Sequence, residues 1–317
     1  MPILSSPSLS MHPSLTDLKS LVLTTVREVA DDDVPSLAAA IAYYTVFSLP
    51  PLLVLLVGLA GAVLGPERIV EGITAQVGSA VGPDGADAVR TMIQNASMTG
   101  TSLGSKVLGL GALLFGATGA FGQLQKALNR AWEVDESTEE GGLVGILVKR
   151  VLSFGMVVTV AFFLLVSLVL SAVLSALGDV ATSALGGGAV GFGLRVANVV
   201  VGLAMTAGLF AVVFRVLPDV KLAWRDVGVG AAVTAILFTL GKSALAVYLA
   251  NADPGSAFGA AGALALLLVW IYYSALILLV GAEFTQAWSC WAREHRGADG
   301  GGSPVHPVAL PRDPAPY

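Results

Sequence analysis

The sequence is short of charge. Only 12% of its 317 residues are Asp, Glu, Lys or Arg, while 55% are hydrophobic and the mean hydropathy is +0.81. A soluble domain carries about 25% charged residues. Too little polar side chain is present to cover a water-facing surface, which argues against a soluble enzyme. Cysteine is nearly absent: Cys290 stands alone, so no internal disulfide can form and the redox compartment cannot be read. Histidine is scarce, and His12, His295 and His306 all lie outside the apolar runs. No paired-His ligand set exists, and no metal or other cofactor is expected. Basic patches are missing too. The net charge is -5, and the 17 Lys and Arg are scattered in short groups between apolar runs, which speaks against nucleic acid as a partner. Residues 1–34 lack an apolar core followed by a small-residue cleavage site, so no cleavable signal is expected.

What the chain has instead is long apolar runs. A span needs about 20 apolar residues to cross the hydrocarbon core. Six such runs are read, at 37–64, 104–122, 148–177, 190–215, 227–250 and 258–287. The predicted fold is all-α: a polytopic membrane protein of about six transmembrane helices, with the bilayer as its medium and a homo-oligomer left open. Residues 1–36 form an N-terminal segment, 37–290 the membrane domain and 291–317 a Gly- and Pro-rich disordered tail. Within 15–30, Leu15, Leu18, Val22, Val26 and Val29 fall at helical spacing, with Asp17, Lys19, Arg27 and Glu28 elsewhere on the wheel. That pattern suits an amphipathic helix on the membrane surface, or a plain cytoplasmic one. The 65–103 loop is predicted to hold two short helices, over 67–81 and 84–98, outside the lipid. Asp31, Asp32 and Asp33, followed by Pro35, read as the start signal of the next helix, with the proline in its first turn.

Orientation follows from the basic residues. With both termini inside, the inner segments hold Lys19, Arg27, Lys126, Arg130, Lys149, Arg150, Arg215, Lys221, Arg225, Arg293, Arg296 and Arg312, whereas the outer ones hold Arg68, Arg90 and Lys106. An even number of spans with cytoplasmic termini is the topology this asymmetry predicts.

Four segments carry a resemblance: Ala39–Leu53 (AAIAYYTVFSLPPLL), Gly119–Val134 (GAFGQLQKALNRAWEV), Leu217–Gly230 (LPDVKLAWRDVGVG) and Gly259–Gln286 (GAAGALALLLVWIYYSALILLVGAEFTQ). Each is weak alone, but as an ordered set they resemble the YihY/BrkB family of bacterial inner-membrane proteins, over about residues 15–290. The resemblance implies a six-span inner-membrane protein without a settled activity. Some members carry the old label ribonuclease BN. The residues argue against a nuclease here, because a metal-dependent phosphodiesterase needs clustered His and Asp ligands.

Ionisable groups inside a membrane are costly, and each is a functional hypothesis. Lys242 lies in the fifth run, where a central lysine costs about 2.5–3.5 kcal/mol. It either lines an anion-binding cavity, near Asn198 in depth, or snorkels to the outer interface. Glu283, near the inner end of the sixth run, is either a proton- or cation-binding carboxylate or the structural partner of Arg130 or Arg225. Tyr43, Tyr44, Tyr272 and Tyr273, with Trp270, sit deep enough to need partners: a shared polar cavity or interhelical contacts. Pro50 and Pro51 fall midway along the first run, where a proline removes a backbone donor and bends a helix. Two functions compete. A transporter or exporter of an ion, anionic solute or lipid would use these groups. A non-transporting scaffold or envelope-integrity factor would rest on the many small packing residues. An intramembrane enzyme lacks a nucleophile–base pair or metal set.

Overall fold

A computed structural model describes residues 14–98, 119–134, 189–220, 222–252 and 262–297. The described residues are helical throughout, apart from caps and turns. The helices are α1 (Leu15–Asp31), α2 (Val34–Leu64), α3 (Pro66–Val81), α4 (Pro83–Met98), α5 (119–131), α6 (Ala189–Val216), α7 (Trp224–Ala252) and α8 (Gly262–Gly297). Most of the second predicted span and all of the third, 104–122 and 148–177, lie outside the described residues, as does the tail after Gly297. Among the described residues, three stretches are long and apolar enough to cross a membrane: Val199–Val216 in α6, Trp224–Leu245 in α7 and Leu264–His295 in α8. This is an all-α membrane protein.

Local chemistry sets the helix ends. Ser14 caps α1 reciprocally: Asp17 N–H donates to its hydroxyl at 3.2 Å, and its own N–H donates to the Asp17 carboxylate at 2.9 Å. Pro35 sits in the first turn of α2, as the sequence predicts. Gly65 (φ +88°) and Gly82 (φ +96°) each end one helix in a conformation open to glycine, and the proline that follows starts the next. α3 and α4 occupy the two stretches predicted within the 65–103 loop. Their apolar stripes close over α2 in a small core of Leu53, Val89 and Ile93.

α2 runs through Pro50 and Pro51 as one helix of 31 residues. α8 continues ten residues past the predicted end of the sixth span, at 287. Its 36 residues span about 54 Å at 1.5 Å per residue, more than the bilayer needs. The sequence loses its apolar run there, but the helix persists because its buried face continues through Ala287, Ser289 and Ala292. α1 packs beside this helix with Leu21 and Thr25 buried.

The main core joins α2, α5, α6, α7 and α8 around Val34, Ala38, Leu128, Phe214, Val227, Ala235 and Leu279. Its tightest seam lies between α7 and α8. Gly230 meets Thr285 and, one turn on, Thr234 meets Gly281, so the two helices run antiparallel. A methyl at 230 would lie 2.6 Å from the Thr285 Cβ, and one at 281 would lie 2.6 Å from the Thr234 Cγ2. Each threonine hydroxyl donates to the carbonyl of its own helix's glycine four residues back, at 2.7 Å from Thr234 to Gly230 and 2.6 Å from Thr285 to Gly281. The hydroxyls are thus satisfied within one helix, and each threonine side chain, its hydroxyl oxygen nearest, lies directly against the opposing glycine.

Overpacking of this kind costs about 1–3 kcal/mol. Gly230→Ala and Gly281→Ala should each lower the thermal midpoint in detergent. Gly281→Ala should recover part of the loss when combined with Thr234→Ala, while Gly228→Ala, with nothing within 4 Å, should not lower it. Equal midpoints for all three single variants would refute the interlocked seam.

Candidate functional site

Glu283 is the least accessible carboxylate in the described structure, at 1% exposure on α8. It follows Leu279 and Ala282 of the main core, and Thr285 of the seam comes half a turn later. Among the described residues it makes neither a hydrogen bond nor an ion pair. The charges that act on it come from two other elements: Glu28 and Asp32 from α1, and Glu133 and Arg130 from the end of α5. Three of those four charges are negative.

Arg130 is the single cation of the group, and it is already engaged. Its Nε donates to the Asp32 carboxylate at 3.2 Å, and a terminal nitrogen reaches the Asp31 carbonyl at 3.4 Å. Even so, burial pushes the Asp32 carboxyl above its usual range, outweighing the Arg130 bond that pulls it down. Burial also pushes Glu28 up, helped by the negative charges of Glu133, Asp32 and Asp31. The two segments that hold these groups each turn sharply: Asp33, between α1 and α2, and Glu133, after α5, both adopt positive φ, at 51° and 49°.

Beside this cluster, a second knot ties α5 to the turn between α6 and α7. Asn129 donates to the Asp219 carboxylate at 2.9 Å, and its oxygen accepts from the Asp219 N–H at 2.9 Å. Gln125 donates to both oxygens of Asp219 at 3.2 Å. The turn is further held by Arg215 stacking over Trp224 at 5.9 Å. The Nε1 atoms of Trp132 and Trp291 are buried donors without an acceptor.

The other residues singled out in the sequence take separate places. Tyr273 packs its hydroxyl against Gly241 of α7, where a Cβ would otherwise stand. Tyr272 packs on the main core. Trp270 meets Phe238 edge to face at 6.4 Å. Tyr44 lies against Gly119, and Tyr43 is 57% exposed beside Tyr44 and Phe47. Lys242 and Arg225 are exposed, and Pro50 is half-buried. Asn198 is on α6, with its side chain outside the described ones. Thus Arg130 and Glu283 come into electrostatic range, while Tyr44 and Tyr273 each meet a glycine on a different helix.

These contacts join the four distinctive sequence segments in a chain. Tyr44 of the first meets Gly119 of the second, Asn129 of the second grips Asp219 of the third, and Gly230 of the third meets Thr285 of the fourth. Residues 25–300 match the Virulence factor BrkB family. The chain belongs to that family. It is similar to UPF0761 membrane proteins of Alcanivorax borkumensis (25% identical over 89% of this chain and 63% of that one), Chromohalobacter salexigens (28%, over 91% and 68%) and Vibrio campbellii (28%, over 86% and 83%). The chain therefore spans about three-fifths of the Alcanivorax relative. No solved structure matches.

Sequence reading missed the partners of this family's polar end. Glu28 was legible only as a residue off the apolar stripe of α1, and no partner was read for Asp32, Glu133 or Asp219. The repeated Gly-x-x-x-Thr spacing at 230–234 and 281–285 was the available signal for the seam. Hydrogen bonds to a charged group contribute about 1.5–3 kcal/mol. Asn129→Ala should therefore lower unfolding stability in detergent by about 1–2 kcal/mol, and Gln125→Ala by less, since both of its contacts are long. A neutral Asn129→Ala would show that Asp219 does not depend on the knot.

Proposed function

We propose that this chain is a transport protein of the bacterial cell membrane whose cycle passes through Glu283. The carrying observation is its fully buried carboxylate on a membrane-spanning helix, in electrostatic range of three like charges and one engaged arginine. Ionised, such a group costs several kcal/mol unless a cation or proton accompanies it. A group poised between two charge states supplies what a coupled transporter needs: a site whose occupancy alters packing. The cargo on this reading is an ion, an anionic solute or a lipid, and the chain is no enzyme. The basic residues support placing both termini, and the Glu283 end, in the cytoplasm.

The second reading, a scaffold, is favoured by the interlocked α7–α8 seam and by Lys242, which is exposed rather than turned into the bundle.

Reconstitution in proteoliposomes separates the two. Sodium, proton and anion gradients, and a labelled phospholipid, are tested in turn. The transport reading expects flux of one species that is lost in folded Glu283→Gln and kept in Lys242→Met. No flux above empty liposomes for any of them would favour the scaffold. Orientation has its own test. Cys290 is an exposed free thiol on α8. A membrane-impermeant maleimide should label it in inverted vesicles and not in intact spheroplasts; the reverse pattern would refute cytoplasmic termini.

A further inference from the structure

α1 and α8 lie side by side in opposite directions. Asp17, near the start of α1, is in electrostatic range of His295, near the end of α8, and Glu28 and Asp32, near the end of α1, are in range of Glu283. The face of α1 turned to α8 holds Leu21 and Thr25, both buried, with the half-buried Glu28 and Asp32 on the same side of the wheel. A different face presents Leu15, Leu18, Val22 and Val26, which stay 47–88% exposed. The contact that holds α1 down therefore contains few apolar side chains and several carboxylates.

The charges around Glu283 do not balance. α1 brings Glu28 and Asp32, the end of α5 brings Glu133 and Arg130, and Arg130 is paired with Asp32. With every carboxyl ionised, docking would bring Glu28 into electrostatic range of Glu283 and Glu133 with no free cation among the described residues. Glu283 has no hydrogen-bond donor among the described residues to disperse its charge. Among those residues, no group of three or more His, Cys, Asp or Glu has the arrangement to hold a metal ion. A proton is the ligand that fits.

We propose that Glu283, Glu28 of α1 and Asp32 at its C-cap titrate as one electrostatically coupled set of proton-binding carboxyls at the α1–α8 seam, so that α1 is latched when they are protonated and released on deprotonation. This deepens the transport reading by naming the ligand of the same carboxylate and the element that responds to it. The sign follows from linkage. Burial raises the Glu28 and Asp32 carboxyls above their ordinary values in the docked form. Docking is then fully favoured below the ordinary carboxylate range, and it weakens as pH rises through the raised values.

The test is amide hydrogen exchange of the full chain in nanodiscs, between about pH 5 and pH 8. Rates are corrected for intrinsic base catalysis, with α4 as internal reference. Exchange over Leu21–Glu28 should rise with pH, by up to about tenfold per pH unit for each proton released. Glu283→Gln, which keeps size and removes the charge, should flatten the rise, and Glu28→Gln at the edge of the site should reduce it. A wild-type α1 whose protection ignores pH would overturn the latch. So would a Glu283→Gln protein with the wild-type slope. Restoration of protection at pH 8 by sodium, but not potassium, would overturn the assignment to protons. No gradient is involved, so flux without a pH-dependent α1 sinks the latch alone. A pH-dependent α1 without flux sinks only the transport reading.

Discussion

Every polar atom that this chain carries into the bilayer must be satisfied by another part of the chain, because hydrocarbon offers no hydrogen bond. The architecture follows from that constraint. Helices satisfy their own backbones. Thr234 and Thr285 donate their hydroxyls to the Gly230 and Gly281 carbonyls of the same helices, so their oxygens are already satisfied where they lie against the neighbour's glycine. Between helices in lipid there is little hydrophobic gain, so close packing decides association. Glycine opposite threonine, with Gly241 opposite the Tyr273 hydroxyl, brings α7 and α8 close together and fixes them in one antiparallel register.

Glu283 is the exception to the rule. Two residues before Thr285 of the seam, it is held in position by the close α7–α8 packing, yet among the described residues it has no hydrogen-bond partner, unlike the buried threonine hydroxyls of that seam. Thr285, Thr234 and Ser289 all close hydrogen bonds to their own helix. A carboxylate on the same helix cannot do so, since an ionised carboxylate has no proton to give to a carbonyl. Its state depends on what arrives from α1 and α5. The rigid seam and the unsettled carboxylate thus belong together: a charge change at Glu283 cannot be absorbed by α7, so its effect falls on the more weakly held α1.

The polar end also explains the distribution of distinctive sequence. Asn129, Asp219 and Arg130 are surface residues by composition, but they tie the end of α5 to the α6–α7 turn and to α1. Exposed ion pairs contribute little on their own. Here the network around Asp219, led by the two 2.9 Å bonds to Asn129, ties the end of α5 to the turn of the α6–α7 hairpin that leads into Gly230.

Much of the fold was legible in the sequence because lipid imposes a simple rule of length and hydropathy. The starts and ends of α2, α6 and α7 fall within three residues of the apolar runs, and the Gly-Pro pairs at 65–66 and 82–83 mark α3 and α4. Glu283 could be singled out as an ionisable group in an apolar helix. The end of α8 was hidden, because hydropathy stops at the lipid boundary while helix packing on a neighbour does not. Arg130 illustrates the larger gap. Sequence offered it to Glu283, but it sits on Asp32, 98 residues away, and Glu283 is left facing Glu28, Asp32 and Glu133. Hydropathy and periodicity act along one helix at a time, and so determined that this is an all-α membrane protein and which residues lie within its helices. Which helix stands beside which, and therefore which charges meet, was decided only by side-chain shape and hydrogen bonding across long stretches of chain, in the tertiary structure.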